Sequence, residues 1–307
     1  MKTQNTISPE TNAPAGPVRG VIYGLTAAIC YGLIPTFTLP VKDGAIADRM
    51  SDPSILFYRF LFASVIIGII MLLRGRSFRV TRPELVTLTY LAFLSDGSAL
   101  FLLDGYNYLP TGIATTLHFM YPVATTLLMM MFYHEARKLS TILAVLMAVA
   151  GVGALSWTGD GSTSLRGVVI ELISAVCYAL YIIRVNRSRV RDMDGMKLTF
   201  YVMLLGTAIF AADAYRQDSL QIIATTNQAV YLLTLSIVCT VVTNLCLVAA
   251  VKNIGSTMTA VLGALEPLTA VALGCLLFSE ALTLNILLGI ALIIPAVVII
   301  IFTRGRK

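Results

Sequence analysis

Long runs of apolar residues, broken only by short polar connections, dominate the chain from residue 18 onward. The runs are too long for strands and mostly too apolar all round for surface helices. A helix needs about 20 mostly apolar residues to cross a bilayer. Ten stretches fit, approximately 18–41, 53–73, 84–104, 111–133, 139–157, 166–186, 197–214, 228–250, 255–278 and 283–302. The pattern predicts an all-α membrane protein of ten transmembrane helices. The longest connections, around 42–52, 74–83, 187–196 and 215–227, leave no room for a soluble domain. Residues 1–17 are polar and contain proline, which predicts a disordered cytoplasmic tail, and 303–307 read as a short basic tail. No cleavable signal peptide is expected ahead of the first span.

Composition agrees. Hydrophobic residues make up 57% of the 307 and charged residues 12%, with a mean hydropathy of +0.84. A soluble domain carries about 25% charged residues, because it must cover its surface. The five cysteines, Cys30, Cys177, Cys239, Cys246 and Cys275, lie in apolar runs with no CxxC pair and read as small packing residues. The net charge of +6 changes the picture only when sorted by position. With the N-terminus in the cytoplasm, 17 of the Lys and Arg residues fall inside and 4 outside, with Arg59 within the second span. That asymmetry is the positive-inside pattern of an N-in, C-in protein and no sign of nucleic-acid binding.

The chain also repeats itself. GVIYGLTAAICYGL from Gly20 matches GVVIELISAVCYAL from Gly167, and Pro122, Glu135, Ala136 and Leu139 match Pro267, Glu280, Ala281 and Leu284 at an offset of 145. Two copies of a five-helix unit follow, about 18–157 and 166–302. Because five is odd, the second copy enters the membrane from the opposite side. Inverted repeats of this kind enclose a site near mid-bilayer and expose it alternately to either face. With no phosphate-binding P-loop in the sequence, such transport is secondary.

At this point the sequence resembles the drug/metabolite transporter superfamily, specifically its EamA-type family. The resemblance rests on the two five-helix halves and on Arg59 in YRFLFA. It rests also on a central proline in spans 4 and 9, each followed by a Glu in FYHEARKLS and LFSEALTLN, and on the pair Glu266-Pro267. It implies a metabolite exporter or exchanger with a cavity lined mainly by spans 1–4 and 6–9. Val202 stands opposite Arg59 in the second half, so a charge role for Arg59 is not duplicated.

An ionisable side chain inside a span costs roughly 2.5–3.5 kcal/mol on insertion scales, so each needs a partner, water or a purpose. Arg59 is a candidate for holding a substrate carboxylate, or for a structural salt bridge to Asp96, Asp104 or Glu171. Glu266 is a candidate for binding an amine or coupling to protons, or for satisfying groups freed by Pro267. Asp96, in the polar run SDGS, is expected to line the cavity and is the second proton-coupling candidate. His118 reads as a proton relay or an interhelical hydrogen bond. Tyr31 and Tyr178, equivalent in the two halves, and Tyr121 suit stacking on an organic substrate. Asn244, with Thr240 and Thr243, adds uncharged polar lining. Pro122 and Pro267 read as kinks of gating helices, and Glu135 and Glu280 as groups stabilising helix starts and turns.

An intramembrane enzyme is disfavoured: there is no HExxH, no GxSxG and only two histidines, so no catalytic residue, metal site or cofactor is expected. A sensor lacks a signalling domain. A lipid or amphiphile translocase is the nearer alternative. The expected partners are the lipid bilayer, a small-molecule substrate and protons or a counter-substrate, in a bacterial plasma membrane; monomer and homodimer both fit. An amino acid or related amphipathic metabolite, exported from the cytoplasm, matches aromatics combined with an Arg and carboxylates. A sugar nucleotide would want more than one buried cation.

Overall fold

The protein is described by a computed structural model covering residues 17–46, 48–132, 139–156, 164–263 and 265–305. The expected tail 1–17, apart from its last residue, and the Glu135 turn lie outside the described residues. Thirteen helices follow in order: α1 Pro17–Gly32, α2 Ile34–Lys42, α3 Asp52–Leu73, α4 Arg82–Gly105, α5 Thr111–His118, α6 Tyr121–Phe132 and α7 Leu139–Ser156, then α8 Leu165–Arg187, α9 Gly195–Arg216, α10 Thr226–Ser236, α11 Thr243–Leu262, α12 Leu265–Leu277 and α13 Leu284–Gly305. A π-helical turn, Ile237–Val242, joins α10 to α11. No strand occurs among the described residues.

Among the described residues seven helical segments are long and apolar enough to cross a membrane, including Asp52–Leu73, Arg82–Gly105 and Thr226–Ala250. Three more are apolar but shorter: Ile142–Ala154, Leu265–Leu277 and Leu284–Ile299. Large apolar side chains such as Leu72, Leu73, Val86, Phe93 and Leu146 stand exposed on outer faces. Hydrocarbon is the medium that suits them.

The helices begin where local chemistry satisfies their first N–H groups. Ser51 caps α3 by accepting from Ser54 N, with Pro53 in the first turn. Thr81 and Glu84 form a reciprocal capping box on α4, and Ser164, Asp194 and Thr225 cap α8, α9 and α10. Helix α5 starts after Pro110, and its cap comes from the far half of the chain. The Glu280 carboxylate accepts from the Thr111 N–H at 2.7 Å and from its hydroxyl at 2.8 Å. Glu280 thus stabilises a distant helix start rather than only its own turn.

Three of the expected spans are interrupted. The chain turns at Leu33 between α1 and α2, at Phe119–Met120 between α5 and α6, and at Gly263 before α12. Pro122 and Pro267 therefore sit in the first turn of a new helix, where a missing N–H costs nothing, rather than in the middle of a bent one. The expected boundary between 250 and 255 is absent, because α11 runs through it. The corresponding connection after α4 contains Pro110, which ends that helix; Val251–Gly255 has no proline, so the backbone ladder continues.

The main packing pairs are α7 with α13, α1 with α11, α3 with α9 and α4 with α8, while α5 packs on α12. Small residues allow the close approaches. A Cβ on Gly20 would lie 2.6 Å from Ile254, and one on Gly151 would lie 3.0 Å from the Gly289 carbonyl. One buried apolar cluster joins α3, α9 and α10, and another joins α5, α7 and α13.

Candidate functional site

Between these clusters lies a cavity of about 540 Å³. Its wall is drawn from α1 to α6 except for outward faces, from α8, α9, the π turn, α11 and α12. Among the described residues α7, α10 and α13 contribute nothing to it. Seven of the eight side chains expected from sequence meet here: Tyr31, Arg59, His118, Tyr121, Tyr178, Asn244 and Glu266.

Tyrosines form one wall. The Tyr178 ring meets Tyr121 edge-on at 4.8 Å and stacks on Tyr181 at 5.8 Å, and His118 lies 5.7 Å from Tyr178. Tyr181 was not singled out from sequence, yet it stands three residues after Tyr178, the spacing that keeps two side chains on one helix face. Thr125, Thr126, Ser95 and Ser98 also line the cavity and were missed. Each is an ordinary span residue whose direction only the packing fixes.

His118 is tied down. Its Nδ1 lies 2.9 Å from Ser174 Oγ, and that hydroxyl donates its one proton to the Ser98 carbonyl at 2.7 Å. Nδ1 therefore carries the hydrogen and donates to Ser174. The histidine links α5 to α8, the interhelical role, while its ring still faces the cavity.

Arg59 makes no salt bridge to Asp96, Asp104 or Glu171, so the structural alternative offered by the sequence is not the one formed. Its Nε donates to Thr240 Oγ1 at 3.0 Å, and among the described residues its Nη groups have no hydrogen-bond partner. Asp96 departs furthest from expectation. Ser95, Ser98 and Ala99 face the cavity, and Asp96 does not. It points to the α9 packing face, where a Cβ on Gly206 would lie 2.8 Å from its Oδ1 and 2.6 Å from the Phe60 ring. One residue further along a helix is about 100° around its axis, and that rotation separates Asp96 from the serines. Asp96 and Glu171 are both buried without a hydrogen-bond partner among the described residues. Glu171 packs against Gly105. Lys42, at the start of the 42–52 connection, is buried and pairs with Asp52 at 2.8 Å. Asn244 binds the Thr240 carbonyl at 2.7 Å, one turn back on its own helix.

Glu266 lies in the first turn of α12, where the unpaired N–H groups of a helix start favour a carboxylate. Arg59 and Glu266 thus place one positive and one negative group in the same tyrosine-walled space. No cluster of three or more potential metal ligands occurs among the described residues.

The model of the EamA-like transporter family matches this chain twice, over residues 18–157 and 165–302. An uncharacterized transporter of Bacillus subtilis, YvbV, is 24% identical over 198 residues, covering 64% of this chain and 65% of the relative. The uncharacterized inner membrane transporter YhbE of Escherichia coli is 26% identical over 43% of this chain and 41% of its own length. The Escherichia coli inner membrane transporter YedA is 24% identical over 81% of this chain and 80% of its own. A crystal structure 14% identical in sequence superposes with a TM-score of 0.66, over 95% of this chain and 100% of that one, and it speaks to the fold alone. These likenesses point to a membrane transporter rather than an enzyme. With two family matches that together span nearly the whole sequence, and with helices built to lie in lipid, this multi-pass integral membrane protein belongs to the EamA-like transporter family.

Proposed function

We propose that the protein is a secondary transporter that exports an amino acid or a related amphipathic metabolite by alternating access through the central cavity. The carrying observation is the pairing of an uncompensated guanidinium, Arg59, with the Glu266 carboxylate across one tyrosine-lined space. Arg59 suits a substrate carboxylate and Glu266 a substrate amine, with the tyrosines stacking on the remainder. The reading includes two five-helix halves of opposite orientation, 18–157 and 166–302, with both termini cytoplasmic. Helix pairing supports it. Exchanging the halves turns α4·α8 into α11·α1 and leaves α3·α9 and α7·α13 as they are, and all four are principal contacts. The name of the relatives YhbE and YedA supports an inner-membrane location.

The test loads proteoliposomes with a defined mixture of metabolites and follows by mass spectrometry which compounds leave, with protein-free liposomes as reference. Selective loss of compounds carrying both an amine and a carboxylate is expected. Arg59→Gln removes a charge-assisted hydrogen bond of about 1.5–3 kcal/mol, which raises the half-saturating concentration for carboxylates roughly 10- to 100-fold. Glu266→Gln is expected to abolish transport driven by a pH gradient, while exchange persists with a raised half-saturating concentration for amines. Unchanged pH dependence in that variant would remove Glu266 from proton coupling, and loss of labelled lipid asymmetry without metabolite efflux would replace the reading with lipid translocation.

A further inference from the structure

The Arg59 anchor comes from an irregular piece of backbone. In the π turn Ile237–Val242 one extra residue is held per turn, and both the Thr243 backbone N–H and its hydroxyl bind the Val238 carbonyl five residues back. Such turns are rare and collect at functional sites. An inserted residue rotates everything after it by about 100° relative to an unbroken helix. Upstream, Leu232 and Leu235 stay in the core shared with α3 and α9. Within the turn and after it, Thr240, Asn244 and Leu247, spaced at four and three residues, line the cavity. In an unbroken helix those three side chains would sit about 100° further round from Leu232 and Leu235.

Two departures from the internal repeat coincide here. Arg59 has Val202 as its counterpart, and α4, third in the first half, is α-helical throughout where its counterpart carries the π turn. The unrepeated arginine and the unrepeated turn come from opposite halves and meet at the 3.0 Å bond between Nε and Thr240 Oγ1. Asn244 Nδ2 holds the Thr240 carbonyl at the same time. A guanidinium fixed through Nε presents its two Nη groups as a fork, the geometry that binds a carboxylate with two parallel bonds.

We propose that Thr240, set by the π turn, is a positioning residue that aims the Arg59 fork at a substrate carboxylate. This rests on the reading of Arg59 given above. The experiment measures efflux of the L-amino acids against their α-amides from proteoliposomes and takes the acid-to-amide ratio of half-saturating concentrations for each transported pair. Thr240→Val keeps the side-chain shape and removes the oxygen; it is expected to reduce discrimination about tenfold, and Thr240→Ser to restore it. Retained discrimination in Thr240→Val, alongside its loss in Arg59→Gln, overturns the role of Thr240 and leaves the carboxylate site standing. Equal loss in Thr240→Val and Thr240→Ser overturns it as well. Unaltered discrimination in Arg59→Gln, or no efflux of any pair from the wild type, overturns both readings.

Discussion

Single side chains tie together parts of the chain that lie far apart. Glu280 closes the start of α5 from 169 residues away, accepting from the Thr111 backbone, the Thr111 hydroxyl and, at 3.4 Å, the Gly112 backbone. Helix starts left without an acceptor cost about 0.5–2 kcal/mol. Glu280→Ala is therefore expected to destabilise the protein by about that amount, and Glu280→Gln by less, since the amide keeps one acceptor oxygen. Thermal unfolding in detergent, followed by circular dichroism, checks the order wild type, Gln, Ala. Equal midpoints for all three would mean that water replaces the carboxylate without loss. That Glu280 stabilises a helix start was legible in the sequence from its place after an apolar run. Which helix it serves was not, because the partner is set by packing.

At the scale of elements, the interruptions matter more than the helices. The breaks at Phe119–Met120 and before Leu265 put His118, Tyr121 and Glu266 beside helix ends in the cavity wall, where a continuous helix would carry them past it. The element that holds the first break in place is the α5–α12 contact, made close by Gly112. A Cβ there would lie 2.6 Å from Val271 Cγ2 and 3.0 Å from its Cα. A backbone atom cannot rotate aside, so Gly112→Ala must push the helices apart. Overpacking of this sort costs about 1–3 kcal/mol. Lower expression and a lower unfolding midpoint are expected for Gly112→Ala, whereas Gly153→Ala, with open space around its Cβ, serves as the control that leaves both unchanged.

For the whole molecule, the two halves are joined at one end by hydrogen bonds between the α2–α3 region and the α9–α10 connection. Ser54 Oγ donates to the Ser219 carbonyl at 2.7 Å, and Gln228 Nε2 to the Asp48 carbonyl at 2.9 Å. Under the proposed topology this end faces away from the cytoplasm. If the halves rock against each other, those bonds must open in every cycle. A Ser54→Cys, Ser219→Cys variant in a background without the native cysteines is expected to lose transport when bridged by a membrane-impermeant, reducible bifunctional thiol reagent added outside, and to regain it on reduction. Full activity of the bridged protein would show that this end does not open.

The sequence by itself determined that the chain belongs in lipid, that it is helical and that it falls into two similar halves, and it nominated eight polar and aromatic side chains for the centre, of which the structure gathers seven. Those conclusions follow from quantities local to the chain: apolar run length, charge sorted by position, and the cost of putting a polar group into hydrocarbon. Tertiary structure decided the rest. Asp96 and Ser95 are neighbours in sequence with the same claim to the cavity, and 100° of helix rotation sends one to the α9 interface and the other to the cavity wall. The π turn leaves no trace in composition, since IVCTVV reads like any apolar helix, yet it selects the face on which Thr240 meets Arg59. Run length specifies that a helix exists; rotational phase and pairing are settled only when a second helix packs against it.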